Sequence, residues 1–261
     1  MHPYFDIPGP HLFGHRGASG EAPENTLLAF ARALAHGVPY LEMDCHATRD
    51  GEIVVLHDAE LARTTDGEGV VSDLSYAELE RLDAGHRFTL DGQTFPFRGA
   101  GVRVPRFTEV LEAFPQARVN LEVKQAEPAI AHEVVRVVRR ANAAQRVLLA
   151  SAEEPILAEL VALAPGTALG SSTADVIEFV KAAAEGRLEG FRPRGHALQL
   201  PPEAFGRPLV THELVRAAHA LGLFVHVWTI NEADEMKRLL ALGVDGLMSD
   251  LPGLLVATAR P

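Results

Sequence analysis

The sequence predicts an α/β chain closed into a barrel of parallel strands, and three observations carry that prediction. Short apolar, β-rich runs alternate with amphipathic stretches from one end of the chain to the other. Such alternation calls for a parallel sheet joined by helical crossovers, and eight repeats favour closing that sheet on itself. The 261 residues, 47% of them hydrophobic, also match the ~250 residues typical of one such barrel.

The β-rich runs are LFGH (12–15), PYLEMD (39–44), EIVVLH (52–57), RVNLEV (118–123), RVLLAS (146–151), TALGS (167–171), HALQL (196–200), LFVHVW (223–228) and GLMS (246–249). Helices are expected near 26–36, 107–114, 128–142, 153–164, 173–184, 211–221 and 232–242, where apolar residues recur at three- and four-residue spacing. Asn25 is placed to cap the first helix at Thr26, and Gly37, Gly222 and Gly243 follow helices as C-terminal caps do. Residues 59–105 break the rhythm with DGEG, DAG, DG and RGAG and one short helical stretch at 75–82. A loop this long in a compact domain is usually functional. Because it follows His57 directly, it is expected to be an insertion covering the mouth of the barrel. Nothing in the composition marks a second domain, so residues 1–261 are expected to form one.

A formal charge of −11 argues against binding nucleic acid or an anionic membrane, both of which depend on clustered Lys and Arg. No stretch approaches the ~18 apolar residues of a membrane span, and the first residues lack a basic, apolar leader. The expectation is a soluble, cytoplasmic chain with no stable membrane association. Cys45 is the only cysteine, which excludes an internal disulfide and a thiolate metal cluster. Beside Asp44 it is expected to be a small buried hydrophobe.

The candidate chemistry lies at strand ends, where barrel enzymes carry their active sites. Glu42 and Asp44 share one face of a strand, as do Asn120, Glu122 and Lys124 of another. Three carboxylates with no thiolate suit Mg²⁺ or Ca²⁺, with Mn²⁺ also possible. Pairing of Glu42 with an arginine and a turn-capping role for Asp44 is the structural alternative. His15 and His57 each end an apolar run before a polar turn and are candidates for general acid/base work. Arg16 offers a planar fork to phosphate oxygens and Lys124 a compact positive charge. Glu24 is a candidate either to orient His15 or to bind substrate, and Trp228, the only tryptophan, to close the pocket as a rim indole.

The runs HRGASGEAPENTLLAF, LEMD, TRDGEIVVLHD and RTTDGEG, followed by VPRFTEVL, NLEVK, VHVWTIN and GVDGLMSDLP, resemble the glycerophosphodiester phosphodiesterase family over nearly the whole chain. That resemblance implies a TIM barrel with an insertion after the second barrel strand. It also implies metal-dependent hydrolysis of small glycerophosphodiesters to an alcohol and sn-glycerol 3-phosphate. By resemblance, His15 and His57 match the acid/base pair, Glu42, Asp44 and Glu122 the divalent-metal ligands, and Arg16 and Lys124 the phosphate-binding positions. Two departures, PRFTE for the commoner PTLEE and MSDLP for TDxP, are expected to affect packing alone. The alternative reading is a lysophospholipase D-like phosphodiesterase, with Phe88, Phe95 and Phe97 of the insertion supplying an apolar groove.

Overall fold

The computed structural model describes residues 1–259. Strands β1 (His11–Gly14), β2 (Tyr40–Ala47), β3 (Ile53–Val55), β4 (Arg118–Val123), β5 (Val147–Ala150), β6 (Ala168–Leu169), β7 (Ala197–Leu200), β8 (Glu203–Ala204), β9 (Arg207–Pro208), β10 (Phe224–Val227) and β11 (Gly246–Ser249) alternate with nine helices among the described residues. These are α1 (Leu27–Ala35), α2 (Tyr76–Leu79), α3 (Phe107–Ala113), α4 (Ala131–Arg140), α5 (Glu154–Leu163), α6 (Thr173–Ala184), α7 (His212–Ala220), α8 (Ala233–Ala241) and α9 (Pro252–Ala259). Eight strands run parallel in the order β6-β5-β4-β2-β1-β11-β10-β7, the staves of a TIM barrel.

The register shows why the strands read as unbroken apolar runs. Along β2, Leu41, Met43 and Cys45 enter the core between sheet and helices, while Tyr40 packs in a second core inside the ring. Both faces are buried, so only charged residues interrupt the apolar pattern. The lower part of the ring is filled by Phe13, Tyr40, Leu148 and Met248. Tyr4 and Phe5, from a 3-10 turn at Pro3–Phe5, complete this plug. Phe5 stacks on Phe224 with ring centroids 4.0 Å apart.

The run 52–57 is not a stave. Residues Ile53–Val55 fold back antiparallel on the end of β2, pairing Cys45 with Val55, because the few residues between them can make a hairpin turn but no crossover. The insertion follows. It has its own small core of Val54, Leu56, Leu61, Val71, Tyr76, Leu79, Ala84 and Val104, and its helix α2 lies within the stretch expected at 75–82. The hairpin β8–β9 and the last helix α9 were not foreseen. Gly37, Gly222 and Gly243 all take positive φ after their helices. The first helix is capped by Thr26, whose Oγ1 accepts the Ala29 N–H at 3.2 Å, not by Asn25.

Between β6 and β7 the barrel closes, among the described residues, through one backbone–backbone hydrogen bond, from the His196 N–H to the Leu169 carbonyl at 2.7 Å. It is aided by the Leu169 N–H donating to His196 Nδ1 at 3.1 Å and by Ser171 Oγ donating to the Ala197 carbonyl at 3.0 Å. Gly195 is needed there, since a Cβ would lie 2.1 Å from the Gly170 carbonyl oxygen. None of the described helices is long and apolar enough to cross a membrane. Because Phe13 is fully buried inside the ring, Phe13→Ala should lower stability by about 3–5 kcal/mol. The measurement is a shift of the denaturation midpoint at constant m-value, and a shift under ~1 kcal/mol would mean that the plug is not closely packed.

Candidate active site

Strand pairing sets the centre of the site. Asp44 lies opposite Glu122, and Glu42 opposite Asn120 one layer deeper. Oxygens of Glu42, Asp44 and Glu122 all come within 4.8 Å of one another. Glu42 and Asp44 are buried. Just past β1 the chain turns sharply, with Arg16 at φ 53° and Gly17 at φ 85°. A Cβ on Gly17 would strike the Ala29 backbone at 2.6 Å, so only glycine lets this turn pack on α1. The turn aims the Arg16 N–H at Glu42 Oε2, 3.0 Å away.

Charge compensation within the cluster is incomplete. Lys124 Nζ lies 3.0 Å from Glu122 Oε2 and 3.4 Å from Asp44 Oδ1, and Arg16 Nε is 3.4 Å from Asp44 Oδ2. Two permanent cations therefore face three carboxylates. Burial, and then the neighbouring Asp44 charge, pushes the Glu42 carboxyl up to about 8. Although burial alone would lower both basic groups, Asp44 first among the carboxylates holds Arg16 and Lys124 above their usual values. Asn25, turned to φ 58°, donates from Nδ2 to Asp44 Oδ2 at 3.0 Å. Its own Oδ1 is buried without a partner. A hard-oxygen donor set with excess negative charge fits a divalent cation of the Mg²⁺ or Ca²⁺ type.

Each of the two histidines is held by a carboxylate at Nδ1. His15 Nδ1 meets Asp250 Oδ1 at 2.7 Å, and Asp250 also accepts from Ser19 Oγ and Asn231 Nδ2, both at 2.7 Å. Burial works against the Asp250 charge, but these donors, His15 first, hold its carboxyl down at about 2. For His15, burial favours the neutral ring, yet Glu42 and then Asp250 raise its pKa overall. His57 Nδ1 meets Asp58 Oδ1 at 2.6 Å. Arg63, from the insertion, binds Asp58 through Nε and Glu24 through Nη1 and Nη2 at 2.8 and 2.7 Å. Glu24 in turn accepts from Arg16 Nη1 at 3.0 Å. With Nδ1 committed, each ring presents its Nε2 edge, and that of His15 lies 3.8 Å from Glu42 Oε2.

The structure thus brings His15, Arg16, Glu24, Glu42, Asp44, His57, Glu122 and Lys124 to the C-terminal end of the barrel. Trp228 stands at the same rim, 42% exposed, with no hydrogen bond from its indole to the cluster among the described residues. Glu24 does not orient His15, as its carboxylate is taken by Arg16 and Arg63. Asp250 does so instead, and the MSDLP segment therefore bears on the site and not on packing alone. Sequence reasoning also missed Asn25, Asp58 and Arg63. Asp58 directly follows His57 in the run LHD, the one local signal for these residues.

A family model described as "Glycerophosphoryl diester phosphodiesterase family" matches residues 15–254. A glycerophosphodiester phosphodiesterase of Bacillus altitudinis is 34% identical over 92% of this chain and 94% of its own. Among solved structures, a glycerophosphodiester phosphodiesterase from Agrobacterium tumefaciens matches with TM-score 0.78 and 27% identity, covering 95% of this chain and 99% of its own. An Oleispira antarctica phosphodiesterase in complex with the product sn-glycerol-3-phosphate matches with TM-score 0.78 and 28% identity, covering 97% and 98%.

Glu42 gives the metal-free protein a predictable pH dependence. Its folded value of about 8 lies above the ordinary 4.5, so between those limits the folded state holds a proton that the unfolded chain has released. Stability contributed by this group therefore falls as pH rises through that window. In chelator, the melting temperature should decline from pH 5 to pH 8, and saturating Mg²⁺, Ca²⁺ or Mn²⁺ should remove the decline. The same slope in a Glu42→Gln variant would assign the effect to other groups.

Proposed function

The chain belongs to the glycerophosphoryl diester phosphodiesterase family, and we propose that it hydrolyses glycerophosphodiesters to an alcohol and sn-glycerol 3-phosphate with His15 and His57 as the acid/base pair. One observation carries this reading above the others. Two imidazoles, each fixed at Nδ1 by its own carboxylate, stand at the same end of the barrel as an acidic cluster that also carries Arg16 and Lys124. That constellation matches a phosphodiester, in which a negative phosphoryl group lies between an attacking and a departing oxygen.

Glu42, Asp44 and Glu122 would hold the divalent cation, Mg²⁺ or Ca²⁺ with Mn²⁺ as a further fit, and its charge would offset that of the phosphodiester. Arg16 spends Nη1 on Glu24 and directs Nε at Asp44, leaving Nη2 for a non-bridging oxygen. Lys124 supplies a second positive contact from the neighbouring strand. One histidine takes the proton of the nucleophile at Nε2, while the other gives its Nε2 proton to the departing alkoxide. The nucleophile is water or the glycerol 2-hydroxyl, the latter passing through a cyclic phosphate. The whole chain acts as one catalytic unit in this reading, because Arg63 and Asp58 join the insertion to both Arg16 and His57.

The lysophospholipid alternative relied on three phenylalanines of the insertion. Phe88 and Phe97 pack edge to face at 5.3 Å, and the Arg98 guanidinium covers the Phe95 ring at 3.8 Å. All three are half-buried, so they support a structural role in the insertion more than an exposed acyl groove.

Prolonged chelation should abolish glycerophosphodiester hydrolysis, and add-back of Mg²⁺, Ca²⁺ or Mn²⁺ should restore it. Activity indifferent to chelator would remove the metal from the proposal. His57→Ala should lose at least ~10²-fold in kcat while remaining folded, and a near-wild-type rate would exclude His57. Arg63→Met should lower kcat/KM by ~10–100-fold, the range for residues that orient a ligand or catalytic group. Arg63→Lys should recover only part of it, since an ammonium cannot fork onto two carboxylates. Full recovery by lysine would show that charge alone matters there.

A further inference from the structure

His57 lies in the short stretch between β3 and the insertion, and its main chain is tied down on either side. The Leu56 N–H donates to the Asp44 carbonyl at 3.0 Å, and the Val71 N–H donates to the Ala59 carbonyl at 2.9 Å. Between those anchors, among the described residues, a single hydrogen bond holds the main chain of residues 57–58. His46 Nε2 meets the His57 carbonyl oxygen at 3.1 Å. A carbonyl oxygen can only accept, so Nε2 carries the hydrogen.

This bond comes from the strand that carries the acidic cluster. Alternation puts His46 on the same face of β2 as Glu42 and Asp44, and the residue is buried, so packing holds its ring in one place. It is not among the groups that converge as a possible cation site. The Asp58 carboxylate that grips the His57 ring belongs to the same two-residue stretch, so that pair does not by itself fix the ring relative to β2. Arg63 reaches Asp58 from the insertion. His46 alone bonds residue 57 to the strand of Glu42 and Asp44.

We propose that His46 is a positioning residue for the reaction, its Nε2–H fixing the His57 main chain and, through it, the placement of the His57 ring relative to Glu42 and Asp44. The inference rests on the acid/base role proposed above for His57. Its test is a set of variants at position 46, assayed for glycerophosphodiester hydrolysis alone and combined with His57→Ala. Glutamine carries its amide nitrogen about as far from the backbone as histidine carries Nε2, whereas asparagine stops short and leucine has no donor. His46→Leu and His46→Asn should therefore lower kcat ~10-fold or more with KM within ~3-fold, the scale of a displaced catalytic group. His46→Gln should restore kcat to within ~3-fold of wild type. In the His57→Ala background, His46→Leu should change the residual rate by less than ~2-fold, since the group it places is gone. A role in packing alone predicts equal rates for His46→Asn and His46→Gln, and losses that multiply in the double variant. Either result would overturn the proposal. Should His46→Leu fail to fold, the asparagine and glutamine variants carry the same comparisons. A wild type inactive toward glycerophosphodiesters, or His57→Ala at the wild-type rate, would remove the reading beneath the inference and the inference with it.

Discussion

Three carboxylates converging from two adjacent strands are the constraint on which the upper half of this molecule depends. The oxygens of Glu42, Asp44 and Glu122 come within 4.8 Å of one another, with Glu42 and Asp44 buried, and repulsion between buried like charges amounts to several kcal/mol unless it is offset. Each neighbouring feature answers to that charge. Arg16 and Lys124 sit against Asp44, Asn25 donates to it from a left-handed turn, and the Arg16 backbone donates to Glu42. Hydrophobic burial elsewhere provides the stability that lets the fold sustain this concentration of like charge.

The two histidines show how the barrel and its insertion divide the work of orientation. His15 is supported from within the barrel, through Asp250 at the end of the last strand and the neutral donors Ser19 and Asn231. His57 is supported across the insertion, through Asp58 and the Arg63 guanidinium that also reaches Glu24. One side chain of the insertion therefore couples the loop that carries Arg16 to the segment that carries His57.

Much of this was legible in the sequence because strand periodicity is exact. Alternation alone puts Glu42 and Asp44 on one face of a strand buried on both sides, where two acids call for compensating charge. The direction of the run 52–57 was not legible, since an apolar stretch looks alike in a barrel stave and in a returning hairpin. Asn25 was misread because asparagine suits a helix cap and a left-handed turn equally well, and only tertiary contact with Asp44 separates them. Asp250 lies 235 residues from His15, a distance that no local pattern spans. Arg63 was overlooked for a different reason. Its value comes from touching two carboxylates that belong to different loops, and spacing along a chain carries no record of that.

The seam between β6 and β7 has a consequence of its own. Around the ring, it lies diametrically across from the β1–β2 pair that carries His15, Glu42 and Asp44. A two-residue strand joined to its neighbour by one backbone–backbone hydrogen bond and two that use side chains is where such a ring opens at least cost. Local opening, and the amide hydrogen exchange that accompanies it, would therefore begin across the ring from Glu42 and Asp44. The barrel can open there without parting the β1–β2 and β2–β4 pairs that hold Glu42, Asp44 and Glu122.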